Sequence, residues 1–244
     1  MTTTTLVFDE KRHRYTLDGS PVPGVTTIIG NALPKPDLPY WAAKVVAETA
    51  VNTSGTLAHD VATMGADAVI KTLKRAPWAE RDRAAIRGTA VHALAESLAH
   101  GDDVDVNPQM APYVQAAADF LDAHDVRPIA TEARLASRTH WYAGTADLFA
   151  WVDGTPTLCD WKTSKSVHGS HFLQLAAYAS ADFMVQDDQE VPIPLVDRIA
   201  VVHLTPDGAR LIDGPPIEAA MEAFTSVLAV SRLIPTIDSW APAH

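Results

Sequence analysis

Hydrophobic and polar positions along the chain divide it into strands and helices that alternate. Leu6-Val7-Phe8 and Arg14-Tyr15-Thr16-Leu17 read as strands, followed by an Asp18-Gly19 turn. Pro21-Val22-Pro23 then leads to a further strand, Val25-Thr26-Thr27-Ile28-Ile29. Pro34, Pro36 and Pro39 precede a helix near 40–50. An alanine-rich helical run covers about 56–74 and ends before Pro77, and a third runs over about 79–99 and stops before Gly101, a C′ glycine. Met110, Tyr113, Val114, Ala117, Phe120 and Leu121 recur at helical spacing across 109–124. A strand around 129–136, a pair of strands joined at Asp153-Gly154 and a helix over about 170–184 come next. After Pro192 and Pro194, Arg198–Leu204 reads as a strand that turns at Asp207-Gly208, and a last helix covers about 216–233. With no repeat and no linker, one α/β domain over 1–244 is expected. Its parts are N-terminal strands and helices (1–86), a core (87–205) and a C-terminal hairpin and helix (206–244).

At 244 residues and 47% apolar composition the chain can bury a sizeable core. No apolar run is long enough to span a membrane, and Met1-Thr2-Thr3-Thr4-Thr5 lacks a secretory signal's charged and apolar regions, so a cytoplasmic location is expected. Cys159 stands alone, which excludes an internal disulfide, a cysteine zinc cage and an iron–sulfur cluster on the chain's own thiolates. The net charge of −11 argues against a general nucleic-acid binder, yet local charge matters more than the sum. Over residues 71–92, Lys71, Lys74, Arg75, Arg81, Arg83 and Arg87 face only Glu80 and Asp82. Taken by itself, that stretch reads as a solvated helix face.

The segment from Gly144-Thr145-Ala146-Asp147 to Asp160-Trp161-Lys162 carries the chemistry. Asp153-Gly154 supplies the positive φ angles of a two-residue hairpin loop. Val152 then faces Thr155, and counting back sets Asp147 opposite Asp160. Opposed Cβ atoms lie roughly 4.5–5.5 Å apart, where like charges repel. Lys162 shares their face because side chains alternate along a strand. A four-residue loop would pair Asp147 with Lys162 and keep all three on one face, whereas an odd loop without a bulge would separate them. Two acids held together beside an ammonium group call for a cation, and so for metal-dependent hydrolysis. Trp161 alternates to the opposite face, into the core.

Elsewhere Gly88, His92 and Glu96 lie four apart on one helical stripe. A lone helical His is more often a surface or core residue; beside paired aspartates His92 becomes a nitrogen ligand to the same ion. Glu96 either reaches that ion through water or, the favoured role, orients His92 as an acceptor. Gln174 and Tyr178, again four apart, open the helix after the Lys162 strand, where an amide and a phenol can hold the lysine or a phosphate oxygen. Glu132, at the head of the strand before the hairpin, adds another carboxylate or is a surface residue.

Gly88-Thr89-Ala90-Val91-His92, Gly144-Thr145-Ala146-Asp147, Asp160-Trp161-Lys162-Thr163 and Gln174-Leu175-Ala176-Ala177-Tyr178 together resemble the PD-(D/E)XK nucleases. The likeness is to the RecB-type branch that includes phage and CRISPR-associated exonucleases. The Tyr15 hairpin and Val25-Thr26-Thr27 also resemble the start of small phage members. The resemblance implies a central mixed β-sheet with flanking helices, a restriction-endonuclease-like core with a helical N-terminal elaboration. It further implies that His92, Asp147, Asp160 and the Trp161 carbonyl hold Mg²⁺ or Mn²⁺, that Lys162 contacts the attacking water or scissile phosphate, and that Gln174 and Tyr178 support the site. Several relatives carry a four-cysteine iron–sulfur cluster; this chain, with Cys159 alone, cannot.

The expected activity is a Mg²⁺- or Mn²⁺-dependent DNA exonuclease of replication, repair or recombination, in a bacterial or phage-infected cell. DNA is the expected partner, with a recombination or single-strand-binding protein as a further one and no membrane. Hard oxygen ligands favour Mg²⁺ or Mn²⁺, and one imidazole tilts the choice toward Mn²⁺. Arg87 and Lys165 are the candidates for phosphate grip. Two other classes stay open: a catalytically silent relative that binds DNA or a recombination partner, and a zinc hydrolase of a small substrate using His92 and Glu96. Strand preference, polarity and subunit number are not written in these motifs.

Overall fold

Residues 7–22 hold a small antiparallel sheet of β1 (Val7–Asp9), β2 (Arg14–Leu17) and β3 (Ser20–Val22). Its second turn is built as Asp-Gly chemistry requires, with Asp18 at φ 51° and Gly19 at φ 76°. The computed structural model describes residues 5–240; residues 1–4, with them most of the stretch read as lacking a signal, and 241–244 lie outside the described residues. Helices α1 (Val25–Ala32), α2 (Leu38–Asn52), α3 (Ser54–Met64), α4 (Ala66–Ala99) and α5 (Ala111–Ala123) follow. Then come β4 (Val126–Ser137), β5 (Tyr142–Val152), β6 (Thr155–Lys162), α6 (Gly169–Ala179), β7 (Phe183–Gln186), β8 (Gln189–Val191), β9 (Arg198–Thr205), β10 (Gly208–Asp213) and α7 (Ile217–Asp238). The protein is α/β, with a seven-stranded sheet in the order β10-β9-β6-β5-β4-β7-β8. The sheet is mixed: β6 runs parallel to β9, and every other neighbouring pair is antiparallel.

Helices cover both faces. On one, α1, α6 and α7 pack Ile28, Leu175, Phe224 and Leu228 on Leu135, Phe149, Leu158 and Val201. On the other, Val91 and Ala95 of α4 and Ala117 and Phe120 of α5 meet Leu148, Cys159, Trp161 and Val202. Strand alternation divides each strand's side chains between these layers. Contacts divide the chain into two units: residues up to Leu33 together with those from Ala90 onward, and Pro34–Thr89. Residues 5–33 thus group with the sheet, and the second boundary falls within α4, between Thr89 and Ala90. Among the described residues no helix is long and apolar enough to cross a membrane.

Three expectations are corrected. Val25–Ile29 is helix, because Val25, Ile28 and Ile29 are buried at i, i+3 and i+4, and that spacing outweighs the β-propensity of branched residues. The second helical run breaks at Gly65, whose φ of 85° ends α3, while α4 continues through Pro77 and forgoes one backbone bond there. The helix expected to reach 184 stops at Ala179; Phe183 and Met184 instead pair with Ala136 and Leu135 of β4.

Candidate active site

The β5–β6 hairpin has the two-residue loop, with Asp153 at φ 52° and Gly154 at φ 78°, and Val152 pairs with Thr155. The register holds as far as Leu148 opposite Cys159 and then lapses, one residue short of Asp147 and Asp160. On its other side, Asp147 is the one residue of Tyr142–Val152 without a partner in β4, because Glu132 beside it takes a left-handed φ of 43°. Such a conformation strains a non-glycine residue by on the order of 1–3 kcal/mol and parts the strands there. Polar side chains fill the opening. Trp161 N–H donates to Asp147 Oδ2 at 2.9 Å in place of a ladder bond.

Asp160 is 2% exposed, beneath α6. Gln174 Nε2 donates to its Oδ1 at 3.1 Å, and the Lys162 ammonium forms an ion pair with Oδ2. That contact is close in charge yet poorly aimed, since buried Oδ2 receives no hydrogen bond of acceptable geometry. Tyr178 is buried against Gly144: a Cβ on that glycine would stand 2.3 Å from the phenol ring. Gly144 therefore admits Tyr178, and Gln174 bonds both Tyr178 and Asp160 from successive turns of α6. Trp161, 1% exposed, lies in the opposite layer.

His92 arrives from that opposite layer, its neighbour Val91 buried against the sheet. Its Nδ1 lies 3.3 Å from Asp147 Oδ2. Burial, then the Lys162 charge, lowers its pKa, which favours the neutral ring that a metal ligand must be. The Asp160 charge, and then a bond to the Trp161 backbone, oppose that shift; of the Trp161 backbone groups it is the carbonyl that can accept from the ring. Glu96 does not orient His92; it accepts from Thr131 Oγ1 at 2.9 Å, and His100 Nε2 lies 3.0 Å from the same hydroxyl. Glu132 sits within β4 rather than at its head. Its residue surface is exposed, yet its carboxyl is crowded: desolvation first, then Asp147, Glu96 and Asp160, push its pKa to about 7. Burial likewise raises Asp147, and burial followed by the Asp147 charge raises Asp160 to about 6.

The residues present suit a hard divalent ion on one observation above all, the buried Asp160 Oδ2 without a directed bond. Asp147 and His92, in contact with each other, both act on it electrostatically. Among the described residues no three His, Cys, Asp or Glu side chains are closed about a single point. Asp147 and Asp160 instead spend oxygens on Trp161 and Gln174.

The site opens into a cleft of about 680 Å³ lined by His92, Thr145, Asp147, Asp160, Lys162, Gln174 and Tyr178. Its other wall is formed by Phe8, Arg12, His13, Arg14 and Tyr15 of the β1–β2 hairpin and by Pro23, Gly24, Thr26 and Thr27; the family likeness touched Tyr15 and Val25-Thr26-Thr27 without placing them at the site. Hairpin residues carry no spacing that ties them to the acids; only the Tyr15 hydroxyl, 2.9 Å from Thr145 Oγ1, makes the link. His171 and His203 were missed too. His203 pairs with Lys162 across β9, and His171 is lowered to about 4 by burial and then by the Lys162 charge. Lys165 is exposed in the loop after β6 and does not line the cleft. Arg87 belongs to the other unit, where Arg81 pairs with Asp82 and Arg83 with Glu80. A shallow hollow of about 810 Å³ along Asp67–Asp82 of α4 holds no comparable set of groups. No family model matches the chain, and no curated protein matches it.

Proposed function

We propose that the protein is a Mg²⁺- or Mn²⁺-dependent deoxyribonuclease, acting from DNA ends, of the PD-(D/E)XK type with a restriction-endonuclease-like core. The observation that supports it is the meeting of Asp147, Asp160 and Lys162 in one cleft, with Asp160 Oδ2 buried and lacking a directed hydrogen bond. His92, Asp147, Asp160 and the Trp161 carbonyl would hold the ion. A bound divalent ion polarises a phosphoryl oxygen and lowers the pKa of water.

The chain's own groups do the rest. Lys162, 19% exposed at its side chain, faces the cleft and offsets negative charge gathering on a phosphate in the transition state. Gln174 fixes Asp160 through Oδ1, which leaves Oδ2 to the Lys162 ammonium. The Trp161 N–H fixes Asp147 in the same way. Tyr178, seated on Gly144, closes the floor against water. Glu132, which desolvation and then the neighbouring acids push up to about 7, adds to the negative charge behind Asp147 only when it gives up its proton.

The test is digestion of end-labelled linear duplex, single strands and closed circles with Mg²⁺, Mn²⁺ or chelator. Metal-dependent shortening of linear DNA, with circles spared, is the expected result. A purified, folded protein that leaves every substrate intact in both metals would remove this reading.

A further inference from the structure

The wall of the cleft facing the acids is aromatic and basic. Phe8 and Tyr15 are paired directly across β1 and β2, and their ring centroids lie 4.5 Å apart, tilted by 32°. His13, at φ 52° in the loop between the strands, meets Phe8 edge-on at 5.3 Å. The row has a fixed inner end, where the Tyr15 hydroxyl bonds Thr145, two residues before Asp147. It runs outward through half-buried Phe8 to exposed His13.

Arg12 and Arg14 line the same cleft and are exposed. Arg12 lies 3.9 Å from Asp9, a weak tie at such exposure. Asp9 and Glu10 on the hairpin are not part of the lining. The row is not simply the core of the small sheet. Leu6, Leu17 and Val22 form that buried core with Tyr15 at its margin, and Phe8 joins none of the three buried clusters. Flat rings beside guanidinium groups, in a groove leading to a phosphate site, are the chemistry that holds unpaired nucleotides. The volume agrees: about 680 Å³ falls within the range of pockets for ligands of roughly a nucleotide or two.

We propose that Tyr15, Phe8 and His13, flanked by Arg12 and Arg14, form a stacking track for unpaired bases of the strand whose phosphate reaches Asp147 and Asp160. The substrate is then a single strand or an opened end, not an intact duplex. This rests on the nuclease reading for the identity of the phosphate, but not for the binding itself.

The experiment measures affinity in chelator, by fluorescence anisotropy, for three probes. These are a twelve-residue thymidine strand, an abasic strand of the same length and a blunt duplex hairpin. The protein should hold the thymidine strand at least about ten-fold tighter than the other two, equivalent to about 1.4 kcal/mol. Phe8→Leu, which keeps apolar bulk and loses the flat face, should bring the ratio of thymidine to abasic strand close to one. Arg12→Gln with Arg14→Gln should weaken both strands alike and flatten the salt dependence, the logarithmic slope falling by roughly 0.7 for each phosphate no longer neutralised. Equal affinity for thymidine and abasic strands, or tighter hold on the blunt duplex, would overturn the proposal. So would a Phe8→Leu protein that melts like the parent and keeps its ratio. If Phe8→Leu does not fold, His13→Ala, in the exposed loop, must reduce the ratio, and an unchanged ratio overturns the track. Ring-dependent binding without any cleavage would remove the nuclease reading and leave the track. Cleavage without ring dependence would do the reverse.

Discussion

Around Arg138 two acids are fully answered, whereas around Asp160 they are not. Arg138 gives Nε and Nη2 to the two oxygens of Asp18 at 2.8 and 3.0 Å, and Nη1 and Nη2 to those of Glu190 at 3.0 and 2.7 Å. Its guanidinium also lies 4.5 Å over the Phe183 ring. Directed bonds from Arg138, then from Thr5, lower the Asp18 pKa to about 2. At the cleft the sign reverses, and burial and mutual repulsion raise Asp147, Asp160 and Glu132. A guanidinium fork satisfies two carboxylates, while one ammonium aimed past a lone pair cannot satisfy a crowd of them. Both groups are ion pairs by distance, but only the second retains an appetite for added positive charge. On the proposed reading, that contrast separates acids that fasten the fold from acids that would hold a cation.

The largest effect should come from removing the charge that the cleft relies on. Asp160→Asn or Lys162→Ala should lower DNA cleavage by on the order of a hundred- to a thousand-fold, while circular dichroism and melting stay near those of the parent. Arg138→Gln should leave the cleavage rate within about two-fold, since Arg138 does not line the cleft. A Lys162→Ala protein that degrades DNA at the parental rate would erase the distinction between the two acid groups.

Next in size is packing beneath the site. Gly144→Ala places a methyl 2.3 Å from the Tyr178 ring, which is held in a buried helix face and cannot swing away. Overpacking of this kind costs about 1–3 kcal/mol, so a chemical melt should show that loss. In Gly144→Ala with Tyr178→Phe the clash remains, because the nearest atom is a ring carbon rather than the hydroxyl. Tyr178→Leu should recover part of the loss. Recovery by the Phe variant alone would mean that the hydroxyl, not the ring, is the constrained part.

Sequence reading reached the hairpin, the neighbourhood of the acids and the α/β class for a physical reason. Asp-Gly dictates a local turn, the turn dictates register, and register carries the pairing as far as Leu148 opposite Cys159, one residue short of Asp147 and Asp160. The same logic did not reach Glu132. Nothing in Thr131-Glu132-Ala133 announces a left-handed residue inside a strand, and that kink is what ends the pairing at Asp147. Nor did it reach the Phe8–Tyr15 wall, which meets the site only through the tertiary bond to Thr145. The role expected of Glu96 failed because a stripe on α4 gives direction but not partners, and Thr131 competes for its carboxylate. Val25–Ile29 shows the period of buried positions overriding residue preference, which a five-residue window could not decide.

A smaller effect tests the repulsion itself. Asp147→Asn keeps an oxygen that can accept from the Trp161 N–H and removes one charge from the crowd. In chelator its stability should rise by roughly 0.2–1 kcal/mol, the scale of like charges facing each other across strands. With saturating Mn²⁺ the order should invert, because the parent gains more from the ion. A metal-free melt below that of the parent would count against crowding.

The smallest effect lies at the satisfied acids and shows up as a pH dependence. A carboxyl whose folded pKa lies below its unfolded value stabilises the fold above the unfolded value, and that contribution fades as pH falls through the folded one. For Asp18 the window runs from 3.8 down to about 2. Arg138→Gln removes the first-named cause of the shift, so the variant should lose less stability than the parent between pH 5 and about pH 3. Urea midpoints at the two pH values give the double difference, in which acids common to both proteins cancel. Asp18 is fully exposed to solvent screening, so the difference should be slight and should shrink further in high salt. Parallel pH profiles for parent and variant at low salt would show that Arg138 holds these acids by position alone, and that the contrast with the cleft is one of geometry rather than charge.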